Sequence, residues 1–233
     1  MLNKEDLCAI ILAGGKGTRL RSVVNDRPKV MAKIKDRPFL FILLDKLLEL
    51  EIPKIVISTG YMSEFLEKEL GNSYKGKEIF YSKETEPLGT GGAFSLASSR
   101  FNSNKYLLMN GDNFVKYSFE DFLEFHIDKE ADTSILVKKE DDASRYGTVE
   151  FDSSNKVTFF KEKDPEINSA FVNCGVYLIK SNIKSFLPKK SSFSLELDFF
   201  PKITNKRFYA FETKGNFIDI GTPESLKQAQ TFF

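Results

Sequence analysis

The segment Leu7-Cys8-Ala9-Ile10-Ile11-Leu12-Ala13-Gly14-Gly15-Lys16-Gly17-Thr18-Arg19-Leu20 runs from an apolar strand straight into a glycine-rich turn, with Arg27-Pro28-Lys29 close behind. The unbroken apolar run Leu7–Ile11 reads as a first strand, buried on both faces. A strand emptying into such a turn can aim backbone amides at a phosphate. Gly14, Gly15 and Gly17 let the chain approach a ligand closely and take positive φ without a Cβ penalty. Lys16, Arg19 and Lys29 then supply charge for a polyphosphate. The plainer alternative is a turn that only joins strand to loop.

Downstream, strand and helix alternate. Phe39–Leu50 reads as a helix buried over much of its surface, 54–59 as a strand, and Met62–Leu70 as an amphipathic helix. Glu78–Ser82 is a third strand, Gly91–Arg100 a helix opening at a second glycine cluster, and Tyr106–Asn110 a fourth strand ending at Gly111-Asp112. This β-α-β alternation predicts an α/β fold with a doubly wound, mainly parallel sheet. Ligands then bind beyond the carboxyl ends of the strands. The Gly14 loop, the Gly89–Gly92 cluster and Gly111-Asp112 all fall there. The second half is richer in strands, at 133–138, 147–151, 157–160, 174–179 and 208–211, with short helices at 195–203 and 223–232.

The 233 residues suit one good-sized core and fall short of two full domains, so residues 1–233 are expected to form a single domain. Within it, 1–115 would serve a nucleotide and 116–233 a second substrate. Lys+Arg at 34 against Asp+Glu at 33 leave a net +1, so no bulk field favours nucleic acid and any anion site must be local. Cys8 and Cys174 lie in apolar runs and read as small core residues, not as a disulfide or metal pair. The single histidine, His126, is expected at the surface or a boundary and is given no chemistry. Catalysis must then run on carboxylates, lysine, arginine and backbone amides. The N-terminal apolar run is too short and too broken for a signal peptide, and none reaches membrane-spanning length. No membrane partner is expected, and the expected compartment is the cytoplasm.

Known glycine loops do not fit the first turn. A dinucleotide loop needs a third glycine where Leu20 stands, and a P-loop needs Lys-Ser/Thr after the glycine, where Thr18-Arg19 stand. The run Leu12-Ala13-Gly14-Gly15-Lys16-Gly17-Thr18-Arg19-Leu20 with Pro28-Lys29 instead resembles the signature of the sugar-phosphate nucleotidylyltransferases. The likeness continues in order along the chain. It takes in Glu86-Pro87-Leu88-Gly89-Thr90-Gly91-Gly92, Gly111-Asp112, Glu162-Lys163, Asn173-Cys174-Gly175-Val176-Tyr177, Glu196, and Phe217-Ile218-Asp219-Ile220-Gly221-Thr222-Pro223-Glu224. Arg21-Ser22-Val23-Val24, Lys29-Val30-Met31 and Glu84 resemble most the bacterial heptose-1-phosphate guanylyltransferase branch. Departures from the family pattern are Ser22-Val23-Val24 for Pro-Leu-Thr, Val30 after Pro28-Lys29, Asp164 after Glu162-Lys163 with the proline displaced to Pro165, and Phe217 for tryptophan.

The resemblance implies a Rossmann-like mixed sheet of the GT-A-like nucleotidyltransferase kind. It also implies transfer of a nucleotidyl group from a nucleoside triphosphate to a sugar 1-phosphate. GTP and heptose 1-phosphate are the expected pair, Mg2+ the cofactor, and a homodimer a further candidate partner. Arg19 and Lys29 would be catalytic. Leu12, Ala13, Gly14, Gly15, Gly17, Thr18, Arg19, Glu84, Glu86, Gly89 and Thr90 would bind the nucleotide. Gly147, Glu162, Lys163, Asn173 and Glu196 would bind the sugar phosphate, and Asp112 and Asp219 the metal. Several have a bland alternative. Asp112 and Asp219 could cap turns, Lys163 could be one more solvated lysine, Glu84 and Glu86 solvated turn residues, and Glu196 part of a helix start. Other functions remain: other sugar or phosphocholine substrates with UTP or CTP, a nucleotide-sugar glycosyltransferase, or a non-catalytic regulatory homologue. Against the glycosyltransferase, Asn113-Phe114 follow Asp112 where a D-x-D metal motif would continue.

Overall fold

The computed structural model describes residues 4–164 and 166–233, so the displaced Pro165 lies outside the described residues. In chain order the strands are β1 (Leu7–Leu12), β2 (Lys33–Ile34), β3 (Arg37–Pro38), β4 (Lys54–Thr59), β5 (Ser73–Tyr74), β6 (Lys77–Lys83), β7 (Lys105–Asn110), β8 (Asn113–Val115), β9 (Thr133–Glu140), β10 (Thr148–Phe151), β11 (Val157–Lys161), β12 (Ala170–Lys180), β13 (Phe208–Glu212) and β14 (Phe217–Asp219). The α-helices are α1 (Phe39–Glu49), α2 (Ser63–Leu70), α3 (Gly89–Arg100), α4 (Phe119–Asp128) and α5 (Pro223–Phe232).

β1 sits inside the sheet, parallel to β4 on one side and β7 on the other. Its alternate side chains feed two cores. Leu7, Ala9 and Ile11 join a layer with α1, α2 and α4, and Cys8 and Ile10 join a second layer with α3. Burial on both faces is why this strand reads as an unbroken apolar run. On α1 the stripe Phe39, Leu40, Leu43, Leu44 and Leu47 is buried, as its helical period requires. The order β7-β1-β4-β6 is parallel throughout. Beyond β7 the sheet turns antiparallel through β12, which pairs with β7, β9 and β10, while β13 adds parallel to β9. The result is the expected mixed, mainly parallel sheet with helices on both faces.

Two features of the second half place the site. β12 is longer than the sequence suggests: residues 170–173 also pair with β9, across a register shift between Asn173 and Tyr177. Gly175, at φ +72, stands in that irregularity, and a Cβ there would come 2.7 Å from the side-chain amides of both Asn110 and Asn113. The other feature is the short antiparallel pair β8–β14, which sets Asp219 opposite Asn113. The Ile220 amide also donates to the Asp112 carbonyl at 2.9 Å. Residues more than a hundred positions apart in the chain thereby become neighbours.

One expectation fails. His126 is fully buried, not at a boundary. It lies on the same α4 stripe as Phe119, Phe122 and Leu123, so helical period alone turns it inward. Its Nδ1 is 2.8 Å from the Ser134 hydroxyl. Burial, then the charges of Lys180 and Lys105, push its pKa down to about 3, so the ring is neutral. Cys8 and Cys174 are free, buried and in different core layers, as their small-core reading requires.

Candidate functional site

The glycine loop is shaped by backbone contact. Ala13 donates its amide to the Ser58 carbonyl at 2.8 Å, and Tyr61 donates to the Gly14 carbonyl at 3.2 Å. A Cβ on Gly14 would meet Glu84 Oε1 at 2.6 Å, and one on Gly111 would meet the Leu12 carbonyl at the same distance. Gly15 is different: nothing lies within 4 Å of its Cβ position. Gly17, at φ +58, turns the chain into a short 3-10 helix (Thr18–Leu20).

A cleft of about 660 Å3 opens here at the carboxyl ends of β1, β4, β6 and β7. Of the residues expected to bind nucleotide, Leu12, Ala13, Gly14, Gly15, Glu84, Glu86, Gly89 and Thr90 line it, together with Lys29 and Asp112. Gly17 lines a smaller crevice beside it with Lys16, Arg21, Arg27 and Lys29. Thr18 and Arg19 are exposed. Arg19 nonetheless converges on the site. The Cβ position of Gly221 lies 2.6 Å from Asp219 Oδ1, 3.4 Å from Lys29 Nζ and 3.6 Å from an Arg19 guanidinium nitrogen. Only glycine leaves room for those three charges to meet.

Both aspartates are neutralised by cations. Asp112 pairs with the largely buried Lys29. Asp219 accepts from Arg145 at 3.0 and 3.2 Å, the Tyr146 hydroxyl at 2.7 Å, the Gly221 amide at 2.6 Å and the Ser225 hydroxyl at 3.1 Å. Burial alone would push the Asp219 carboxyl up. The Tyr146 hydrogen bond, the Arg145 charge and the bonds from Gly221 and Ser225 outweigh it and hold the carboxyl below the usual range. The cap of α5 is Thr222 in a reciprocal pair with Ser225, so Asp219 is not the capping residue. As donors, two carboxylates suit a hard divalent cation that takes its remaining oxygens from phosphate and water. Among the described residues no cluster of three or more His, Cys, Asp or Glu forms a closed protein cage for a metal.

The second glycine cluster works differently from the first. Gly91 and Gly92 donate their amides to the Phe193 carbonyl at 2.9 and 3.2 Å. A Cβ on Gly91 would strike the Phe193 ring. Gly89, at φ +71, also lies against the Phe193 carbonyl, 2.6 Å from its Cβ position, and lines the cleft with Thr90. Glu84 Oε2 accepts the Leu88 amide at 3.0 Å, which ties the start of α3 to the glycine loop. Burial pushes this carboxyl up, against the Leu88 and Ser58 hydrogen bonds. Glu86 stands exposed on the rim.

The residues expected on the sugar side, Lys163 excepted, gather around the buried Tyr177 hydroxyl. Asn173 donates to that oxygen at 2.7 Å, and the Asn173 amide reaches the Gly147 carbonyl at 2.8 Å. Burial, then the charge of Glu196, raises the Tyr177 phenol, and Glu162 adds to it. Glu162 Oε2 lies 3.2 Å from the Gly147 Cβ position. Glu196 accepts the Thr90 hydroxyl at 2.5 Å and the Ser194 hydroxyl at 2.8 Å, which joins this group to the nucleotide cleft. Lys163 is exposed, with Glu162 as its ion-pair partner at 3.6 Å. Sequence reasoning missed Gly60 and Tyr61, which line the cleft, and Arg145 and Tyr146, which hold Asp219. The first two follow the carboxyl end of β4, where the strand rule points. The second two immediately precede Gly147.

The model of the Nucleotidyl transferase family matches residues 8–233. The chain is 40% identical over 223 residues to a D-glycero-alpha-D-manno-heptose 1-phosphate guanylyltransferase of Aneurinibacillus thermoaerophilus, covering 95% of this chain and 96% of that one. It is 34% identical to the protein of the same name from Campylobacter jejuni subsp. jejuni serotype O:2, covering 93% and 95%. The crystal structure of HddC from Yersinia pseudotuberculosis complexed with GMP-PN superposes with a TM-score of 0.83 at 35% identity, over 97% of this chain and 98% of that one. The chain therefore belongs to the nucleotidyl transferase family.

Proposed function

We propose that this member of the family transfers the guanylyl group of GTP to D-glycero-alpha-D-manno-heptose 1-phosphate, releasing pyrophosphate and a GDP-sugar. The observation that carries the transfer chemistry is the meeting of Arg19, Lys29 and Asp219 around Gly221, beside Asp112 at the open glycine loop. The choice of substrates rests on the heptose guanylyltransferases matched over nearly their whole length, and on the GMP-PN complex of the Yersinia protein.

Two polyanions must be brought together, so the work is positioning and neutralisation of charge. Arg19 grips the triphosphate through its planar donors, and Lys29 serves the α-phosphate, where charge builds up during displacement. Gly147, Glu162, Asn173 and Glu196 hold the sugar, with Lys163 at its phosphate. The sugar-phosphate oxygen attacks the α-phosphorus as the bond to the departing pyrophosphate breaks. That oxygen is already ionised at neutral pH, so no general base is needed. Asp112 and Asp219 hold Mg2+, which supplies charge stabilisation at the phosphates when bound. Guanine offers N1–H and N2–H2 side by side, a pattern one rim carboxylate accepts. Glu86 is better placed for it than Glu84, which is engaged with Leu88. Residues 1–115 then serve mainly the nucleotide and 116–233 the sugar phosphate, with Asp219 crossing over. The reading places the chain in the cytoplasm with its nucleotide; in support, no described helix is long and apolar enough to cross a membrane.

The test is a pyrophosphate-release screen of four ribonucleoside triphosphates against heptose, mannose and glucose 1-phosphates with Mg2+. The expected outcome is highest kcat/KM for GTP with the heptose ester. A preference for another pair moves the specificity, and no pyrophosphate from any pair removes the reading.

A further inference from the structure

Asp112 and Asp219 each carry one cation drawn from the site itself, Lys29 on the first and Arg145 on the second. Arg145 is the less committed of the two cations. Its side chain is 37% exposed against 12% for Lys29. It reaches Asp219 from the segment just before Gly147, the start of the proposed sugar side. A divalent cation held by both carboxylates brings the same two positive charges that Lys29 and Arg145 supply together. Exchange is therefore neutral in charge and releases two side-chain cations where two phosphates are to meet. Lys29 already has the α-phosphate as its destination in the reading above.

We propose that Arg145 is the counter-ion Asp219 gives up to the divalent cation, and that its freed guanidinium then binds the phosphate of the sugar 1-phosphate. This rests on the proposed function. Arg145 suits the second task by its chemistry, since a planar fork of donors matches a phosphate monoester as it matches a carboxylate. Position suits it as well: one residue separates it from Gly147, and it reaches Asp219 beside the convergence of Arg19 and Lys29 on Gly221. Tyr146, the Gly221 amide and Ser225 keep Asp219 in place while its cation changes. Arg145 thus competes with metal in the free chain and serves the second substrate in the loaded one.

The two tasks predict opposite signs for one substitution. Removing the competitor in Arg145→Gln tightens Mn2+ binding, read by electron paramagnetic resonance with GTP present and no sugar phosphate, by about two- to fivefold, the range of a partly exposed ion pair. The same variant raises KM for the sugar 1-phosphate by roughly tenfold or more, as loss of a charged hydrogen bond does. Arg145→Lys restores part of both, and thermal melts confirm that each variant is folded. Weaker Mn2+ binding in Arg145→Gln would show that Arg145 only orders Asp219 for the metal, and overturns the proposal. An unchanged sugar-phosphate KM overturns it too. Failure of the wild-type chain to bind Mn2+ with GTP strikes at the proposed function instead.

Discussion

The two sides of the cleft are built on different principles. On the proposed nucleotide side, parallel strands end near glycines whose missing Cβ atoms allow close approach, to backbone at Gly60 and Gly111 and to the Glu84 carboxylate at Gly14. On the proposed sugar side, antiparallel strands and loops are joined by side chains: Asn173 to Tyr177, Glu196 to Thr90, Arg145 and Tyr146 to Asp219. A site made by close backbone approach is written in a few consecutive residues. A site made by hydrogen bonds between distant side chains is written nowhere locally.

The harshest test of this contrast falls where the two sides meet. Lys29→Ala should lower kcat/KM about a hundred- to a thousandfold, the usual cost of one electrostatic contact in a closed site. Circular dichroism should still report a folded chain; near-normal turnover would detach Lys29 from the chemistry. On the nucleotide side, Gly111→Ala forces a Cβ onto the Leu12 carbonyl and should cost about 1–3 kcal/mol in denaturant unfolding. Gly15→Ala meets nothing and should leave stability within about 0.5 kcal/mol. Equal losses at the two positions would mean that backbone approach does not set the loop. On the sugar side, Asn173→Ala strands the buried Tyr177 hydroxyl, at about 1–3 kcal/mol. It should raise KM for the sugar phosphate while GTP binding by calorimetry stays put.

The gentlest effect concerns pH. Asp219 has its folded pKa lowered, so its contribution to stability is present above the unfolded value of about 4 and is lost as pH falls through the folded one. Glu84 has its folded pKa raised by burial, so its penalty is present at neutral pH and relieved as pH falls through that raised value. Melting curves between about pH 3 and 6 should therefore shift in opposite senses for Asp219→Asn and Glu84→Gln relative to the parent chain. Shifts of the same sense would show that the two carboxyls do not sit in contrasting environments.

The same contrast explains what could be read from the sequence. Strands β1, β4 and β7 were legible because strands buried on both faces are continuous apolar runs, β6 because its short Ile79-Phe80-Tyr81 core has high strand propensity, and α1 and α5 because their stripes and stops are local. The glycine loop was legible for the reason already given. The pair β8–β14 was not, since three residues on each side carry no periodic signal and hold only by pairing across the fold. Arg145 and Tyr146 were not, because their partner lies more than seventy residues away. Gly91 and Gly92 were legible as glycines but not as the seat of Phe193. His126 was legible in principle: its place on the α4 stripe outweighs its polarity.

The β8–β14 pair also has a consequence in time. Asp112 and Asp219 become neighbours only when the strand at 217–219 docks on the one at 113–115. Closing a loop over that separation costs chain entropy before its contacts repay it. A chain emerging from the ribosome therefore exposes its glycine loop long before it owns both carboxylates. On the proposed reading, a metal that needs both carboxylates stabilises only a chain whose last strand has found its place.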